Sequence, residues 1–147
     1  MSRILALDYG RRRIGVALSD PTRTIAAPLT TLVRRPGKRP PWAEIARLVA
    51  EHEATELVVG LPLELGGGEG EWAAEVREFG AELARRTGLP VHWVDERLSS
   101  VEAERAVRGM GLKRSQREDK ARIDATAAAL ILRGYLDHGA HDSSDNG

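Results

Sequence analysis

The feature that most constrains the fold is a series of short apolar runs, each closed by turn residues. Residues 4–7 and 14–18 are such runs, ended by Asp, Gly, Ser and Pro, and this pattern predicts two paired strands. A third strand is predicted within residues 24–33, where Pro28 suits an edge or a bulge better than a sheet centre. The chain is therefore expected to open with a three-stranded meander.

Strand and helix patterns alternate after the meander. Apolar residues at helical spacing predict helices over about residues 42–53, 71–87 and 119–136, and Ser99 or Ser100 can cap a further helix ending near Arg108. Short buried-strand patterns occupy residues 57–59 and 91–94. This order predicts an α/β fold in which a mixed sheet carries helices on its faces.

The length of 147 residues suits one domain, which we place at residues 1–137. The polar tail, residues 138–147, is expected to be disordered. The chain has no cysteine, which excludes disulfides and thiolate sites. It also lacks the roughly 20 apolar residues of a membrane span, so we predict a cytoplasmic protein without membrane association. We expect a monomer or a weak homodimer, whose contact face the helix of Trp42 or that of Trp72 could supply.

The charges are unevenly distributed although their sum is zero. Residues 1–50 carry ten Arg and Lys against three acids, residues 51–100 carry four against eleven, and the remainder balances eight against eight. A local basic excess indicates either a nucleic-acid surface or a solvated basic loop.

Two acidic residues stand where a lone charge is hard to place. Asp8 follows an apolar strand, a position that suits ligand binding at a strand's carboxyl end but equally a turn before Gly10. Asp124 shares a helix face with small apolar residues that should dock on the sheet. Such a carboxylate needs a cation, a hydrogen-bond network or a metal, and Lys120 one turn earlier offers a simple ion pair.

A third acidic position follows the strand at residues 91–94. Asp95 and Glu96 are adjacent, so they point to opposite faces, and alternation alone does not decide which one joins a shared site. Either could instead pair with or cap near Arg97. Three converging carboxylates would repel one another unless a divalent cation held them, and oxygen donors favour Mg²⁺ or Mn²⁺.

Four segments together resemble one family, the Holliday junction resolvase-like proteins that are also named pre-16S rRNA nucleases. They read LALDYGRRRIGVALSD, LVVGLPLELGGGEG, VDERLSS and KARIDATAAALILRGYL, in that order, from about residue 4 to 136. The resemblance implies an RNase H-like fold: a five-stranded mixed sheet, with a three-stranded antiparallel meander and two parallel strands, flanked by helices. It also implies that Asp8, Glu96 and Asp124 are the catalytic, metal-binding acids, which favours Glu96 over Asp95.

The function implied is metal-dependent hydrolysis of phosphodiester bonds, in processing of the 5′ end of pre-16S rRNA. Holliday junction resolution is one alternative, and a non-catalytic module that binds nucleic acid or ribosome precursors is another. Nucleotide binding is disfavoured, because GGGEG lacks the GK[ST] ending of a P-loop. The expected partner is nucleic acid, as precursor rRNA or branched DNA, with ribosomal precursor or transcription proteins as further candidates. The predicted nucleic-acid contacts are Arg11, Arg12, Arg13, Arg97, Lys113, Arg114 and Lys120.

Overall fold

The computed structural model describes residues 2–34, 39–64, 66–98 and 116–139, with side chains of the last segment from Asp124 onward. The strands are β1 (Arg3–Tyr9), β2 (Arg13–Ser19), β3 (Ala26–Val33), β4 (Ala54–Leu61) and β5 (Val91–Asp95). The described helices are α1 (Trp42–Glu51), α2 (Glu71–Thr87) and α3 (Gln116–His138). A short 3₁₀ turn, Glu96–Leu98, follows β5.

These strands form one sheet in the order β3-β2-β1-β4-β5. β2 pairs antiparallel with β1 and β3, whereas β4 pairs parallel with β1 and β5. The predicted α/β fold, an antiparallel meander extended by two parallel strands and flanked by helices, is confirmed. Because β1, β4 and β5 are parallel, their carboxyl ends meet at one edge of the sheet, where open α/β sheets bind ligands. We call this the carboxyl edge.

The third strand, β3, is an edge strand of the sheet and pairs only with β2, as its proline predicts. Its register with β2 shifts between Val16, which pairs with Thr30, and Ala17, which pairs with Pro28. One residue of β3 is therefore left over at the proline, which has no N–H to donate to the ladder. The prediction of an edge strand with an irregularity is confirmed.

The two faces of the sheet pack against different helices. On one face, which we call the α1/α2 face, Leu5 and Leu7 join a cluster of large side chains that includes Ile45, Phe79 and Leu83. On the other, the α3 face, the neighbours are mostly small; its buried residues are Ile4, Ala6, Ala17, Val58, Val94, Ala127, Ala128, Ala129, Ile131 and Leu132. Small side chains allow α3 to lie close to the sheet.

Several element bounds differ from those predicted. β1 continues to Tyr9, which pairs with Ile14, so Asp8 lies inside the strand rather than after it. β4 begins at Ala54 and α3 ends at His138. The helix predicted from residues 99 or 100 to 108 lies outside the described residues, as does the tail from residue 140. Among the described helices, none is both long and apolar enough to cross a membrane.

Candidate active site

Asp8 projects from β1 toward α3. Side chains alternate along a strand, and Ile4 and Ala6 of β1 pack in the cluster under α3, so Asp8 lies on the same face. Its partner in the β1–β2 register is Gly15. Only 5% of the residue is exposed. The carboxylate is thus held near the carboxyl edge, on the face that α3 covers.

Gly15 brings Asp124 to this place. A Cβ atom on Gly15 would overlap the carbonyl oxygen of Asp124 and contact the backbone nitrogen of Ala125 at 3.1 Å. The α3 backbone therefore lies directly on β2 at the point where β2 faces Asp8. A side chain at position 15 would push the helix away, so this glycine is required by a close approach.

Glu96 reaches the same face from β5. Val94 packs in the cluster under α3, and Glu96 follows it by two positions in the 3₁₀ turn. A Cβ atom on Gly60 of β4 would lie 2.8 Å from Oε2 of Glu96. The Glu96 carboxylate therefore passes over the glycine of the neighbouring strand, and only 4% of the residue is exposed.

Asp95 has a different environment. Its carboxylate accepts hydrogen bonds from the Arg97 side chain, from Nε at 3.0 Å and from Nη2 at 2.7 Å, and from the Arg97 backbone N–H at 2.9 Å. Arg97 also donates to the carbonyl oxygen of Glu64 at 3.3 Å, which ties the loop after β4 to this turn. The two adjacent acids therefore have different surroundings: Glu96 lies on the face of Asp8 and Asp124, whereas Asp95 is bound to Arg97.

The three acids line one cavity of about 320 Å³, which we call the acidic pocket. Nε of Arg13 donates to Oδ2 of Asp124 at 2.8 Å. The lining of the acidic pocket consists of Asp8, Tyr9, Gly10, Arg11, Arg13, Pro62, Trp72, Glu96 and Asp124. The pocket therefore brings the three predicted acids together with two of the predicted arginines.

The partner of Asp124 differs from the one that helix spacing suggests. Lys120 stands one turn earlier, but its side chain lies outside the described part, and the described partner is Arg13 on β2. Both side chains of this ion pair are partly exposed, at 30% for Arg13 and 26% for Asp124. Because both side chains are partly open to solvent, a cation from solution can reach Asp124.

The predicted basic residues fall into distinct groups. Arg11 lies over the Trp72 ring with Cζ 4.2 Å from its centroid, and Arg12 is exposed in the turn between β1 and β2. Arg97 is bound to Asp95 and does not line the acidic pocket. Lys113 and Arg114 lie outside the described residues.

Tyr9 and Trp72 are pocket residues that the sequence reasoning did not assign to the site. The sequence predicts the Trp72 helix only as a candidate dimer face, whereas in the structure the Trp72 ring stacks on Tyr9 within the chain. Burial raises the pKa of the Tyr9 hydroxyl above its ordinary value, and Arg34, 4.6 Å above the ring, opposes that rise. The available signal was the position of Tyr9 directly after Asp8. Near the end of a strand, the residue next to a site residue lies at the same end of the sheet, although its side chain points to the other face.

A protein-family model described as RuvX, Holliday junction resolvase, matches residues 2–138. The chain belongs to the RuvX family. It is 47% identical over 135 residues to a protein of Roseiflexus sp. (strain RS-1) named "Putative pre-16S rRNA nuclease", a match that covers 92% of this chain and 94% of that protein. A protein of the same name from Anaeromyxobacter sp. (strain Fw109-5) is 49% identical over 135 residues, covering 92% and 96%.

Two solved structures relate the RuvX-family chain to a known fold. Thermus thermophilus RuvC in complex with Holliday junction substrate superimposes with a TM-score of 0.54 at 20% identity, covering 95% of this chain and 98% of that one. A second Thermus thermophilus RuvC structure gives 0.52 at 16% identity, covering 94% and 97%. At these identities the likeness concerns the fold, and the predicted RNase H-like fold of this RuvX-family member is confirmed.

Proposed function

We propose that this chain is a divalent-metal-dependent nuclease that hydrolyses phosphodiester bonds in processing the 5′ end of pre-16S rRNA. The observation that carries the proposal is the convergence of Asp8, Glu96 and Asp124 on one pocket at the carboxyl edge. The name shared by the similar proteins supports both the nuclease activity and the rRNA substrate. A cytoplasmic location is part of the proposal, because precursor rRNA is the substrate.

The donor set of the acidic pocket fits Mg²⁺ or Mn²⁺. Asp8 and Glu96 offer only oxygen ligands, which these hard ions prefer. No three His, Asp or Glu side chains within the described ranges are grouped closely enough to hold one ion, and Asp124 is paired with Arg13. We therefore propose that Asp8, Glu96 and Asp124 together hold the ion, and that Asp124 exchanges Arg13 for the ion. Such an ion would supply an activated water and charge stabilisation on the phosphate.

We propose that Arg11 and Arg13 bind substrate phosphates beside the acids. Arg13, released from Asp124, can donate to a substrate phosphate beside the acids, and Arg11 lines the same pocket. Arginine suits this role because its planar guanidinium donates two parallel hydrogen bonds to phosphate oxygens. Arg12 is proposed to contact the backbone farther from the cut. Contacts from Arg97, Lys113, Arg114 and Lys120 remain predictions.

The test is cleavage of labelled precursor rRNA fragments, single-stranded RNA and four-way DNA junctions with Mg²⁺ or Mn²⁺. We expect Asp8→Asn and Asp124→Asn each to reduce the rate by about 100-fold or more, because each removes a charged ligand of the proposed metal ion. Asp137→Asn is the matched control, since Asp137 lies on the same helix and also pairs with an arginine, Arg133 at 3.0 Å, but is exposed and outside the pocket. It should cleave at the wild-type rate.

Each contrary outcome has one meaning. Preference for four-way junctions over RNA would replace rRNA processing with junction resolution. No metal-dependent cutting of any substrate by pure wild-type protein would overturn the nuclease and leave the non-catalytic binding module. Equal cutting by wild type and both pocket variants would mean that a contaminating nuclease does the work.

A further inference from the structure

An aromatic stack runs from the acidic pocket into the α1/α2 face. The Trp72 and Tyr9 rings are 5.5 Å apart with an interplanar angle of 11°, and Tyr9 lies 4.1 Å from Phe79 at 17°. Phe79 continues to Trp42 at 5.4 Å and 17°. Phe79 is only 4% exposed. Because each ring is nearly parallel to the next, the stack fixes the plane of the Trp72 ring.

The Trp72 end of the stack is the end that meets the acids. Trp72 lines the acidic pocket together with Asp8 and Glu96. The guanidinium of Arg11, an exposed residue, covers the Trp72 ring at 4.2 Å from its centroid. Trp72 itself is half-buried, and a cation–π contact made by an exposed arginine is weak. A flat ligand can therefore replace the Arg11 guanidinium on the ring without disturbing the core.

We propose that Trp72 is a stacking platform for one unpaired base of an RNA strand whose phosphate lies at the acids. The proposal rests on the proposed nuclease function and defines its substrate as single-stranded at the cut. Base stacking on an aromatic side chain is stronger than the exposed cation contact that it replaces. Arg11, displaced from the ring, then donates to the adjoining phosphate. Trp72 is a positioning residue here, because it orients the strand without touching the reacting atoms.

The positions of the proposed metal ligands, rather than the net charge, explain why the base enters at this end. The Trp42 end borders a second cavity of about 300 Å³, lined by the α2 acids Glu75, Glu78 and Glu82 and by Arg39 and Arg86. Those three acids stand on one helix, and Glu82 is already paired with Arg85 and Arg86. At the Trp72 end, acids from three different elements converge on one pocket beside Arg11 and Arg13. A base in a continuous duplex stays within its own stack, so only an unpaired base can reach Trp72.

The test is a binding cycle in the cleavage-deficient Asp8→Asn protein with Ca²⁺ present. The probes are labelled single-stranded RNAs, each lacking the base of one nucleotide in turn, and the readout is the dissociation constant by fluorescence anisotropy. We expect one abasic position to weaken binding by about tenfold. In Asp8→Asn with Trp72→Ala, the same abasic position should have no further effect. Trp72→Phe should keep the sensitivity, because a phenyl ring still stacks.

Trp42→Ala is the matched control, since it removes a tryptophan from the far end of the same stack. It should retain the abasic sensitivity. Equal losses with and without Trp72 at every abasic position, or duplex RNA bound as tightly as single strands, would overturn the platform. If Trp72→Ala does not fold, Trp72→Leu replaces it, with the same expected loss of coupling.

The cycle also separates this proposal from the nuclease on which it rests. Wild-type cleavage without the abasic coupling would refute the platform and leave the nuclease standing. Coupling at Trp72 in a protein that cuts nothing would support base stacking in a non-catalytic module. Absence of any RNA binding would overturn both.

Discussion

The two faces of the sheet solve the problem of covering it in opposite ways. The α1/α2 face uses bulk, with leucines and stacked aromatic rings filling the space under two helices. The α3 face uses smaller residues, half of them alanine, with a glycine at the point of closest approach. The difference matters at the carboxyl edge, because a helix that lies directly on the sheet can deliver Asp124 to Asp8, whereas a thick aromatic layer supplies a rigid wall.

Creating a cavity among the aromatic rings of the α1/α2 face should have the largest effect on stability. Phe79→Ala removes the central ring between Tyr9 and Trp42, and deletion of a buried phenylalanine side chain costs about 3–5 kcal/mol. We expect the free energy of unfolding in urea to fall by that amount. Phe79→Leu, which keeps most of the volume, should lose less than about 1.5 kcal/mol. A loss below about 1 kcal/mol for Phe79→Ala would mean that the rings do not pack as core.

Adding one methyl group between β2 and α3, on the α3 face, should have the next largest effect on stability. Gly15→Ala places a Cβ where the Asp124 carbonyl lies, and overpacking of this kind costs about 1–3 kcal/mol. Because the displaced segment carries Asp124, we also expect cleavage per folded molecule to fall about tenfold or more. Unfolding curves and single-turnover cleavage measure the two effects.

Gly80→Ala is the control on the other face. Its Cβ would meet the ring of Trp93 rather than a backbone, and neither residue lines the acidic pocket. It should lower stability without lowering cleavage per folded molecule. Equal cleavage by the Gly15 and Gly80 variants would contradict the idea that close packing of α3 positions Asp124.

The packing of α3 on the sheet could be predicted largely from the sequence. The helical register through Asp124, Ala127, Ala128 and Ile131 places small residues on one side of a helix, and the buried residues of α3 follow it. The opening meander and the mixed sheet followed from the alternation of elements, whereas the five-stranded RNase H-like arrangement came from the family resemblance. The choice of Glu96 came from the family resemblance, because strand alternation places Asp95 and Glu96 on opposite faces without saying which face holds the site.

The long-range contacts around the site could not be predicted from residue spacing within single helices or strands. Arg13 and Asp124 are 111 positions apart, whereas helix spacing suggested Lys120. The aromatic stack joins residues from β1, α1 and α2, and no spacing rule brings residues 9, 42, 72 and 79 together. Such pairs depend on how elements pack, which periodicity within one element does not encode.

The smallest expected effect is in the titration of the two tyrosines, one on each face. Burial raises the pKa of both hydroxyls; near Tyr135 the Glu56 carboxylate adds to the rise, and near Tyr9 the Arg34 cation opposes it. The native state thus favours neutral phenol. Its contribution to stability is present in full below the ordinary tyrosine pKa of about 10 and is lost as pH rises through the native pKa.

Ultraviolet titration of Tyr9→Phe and Tyr135→Phe isolates each hydroxyl in turn. In both variants the remaining tyrosine should ionise above pH 10 in the native protein and near pH 10 in urea. Adding Arg34→Met to Tyr135→Phe should raise the pKa of Tyr9 further, because the opposing cation is gone, while Tyr135 in Tyr9→Phe should not respond. A response of both tyrosines would show that the faces are electrostatically coupled across the sheet, and would break the contrast between them.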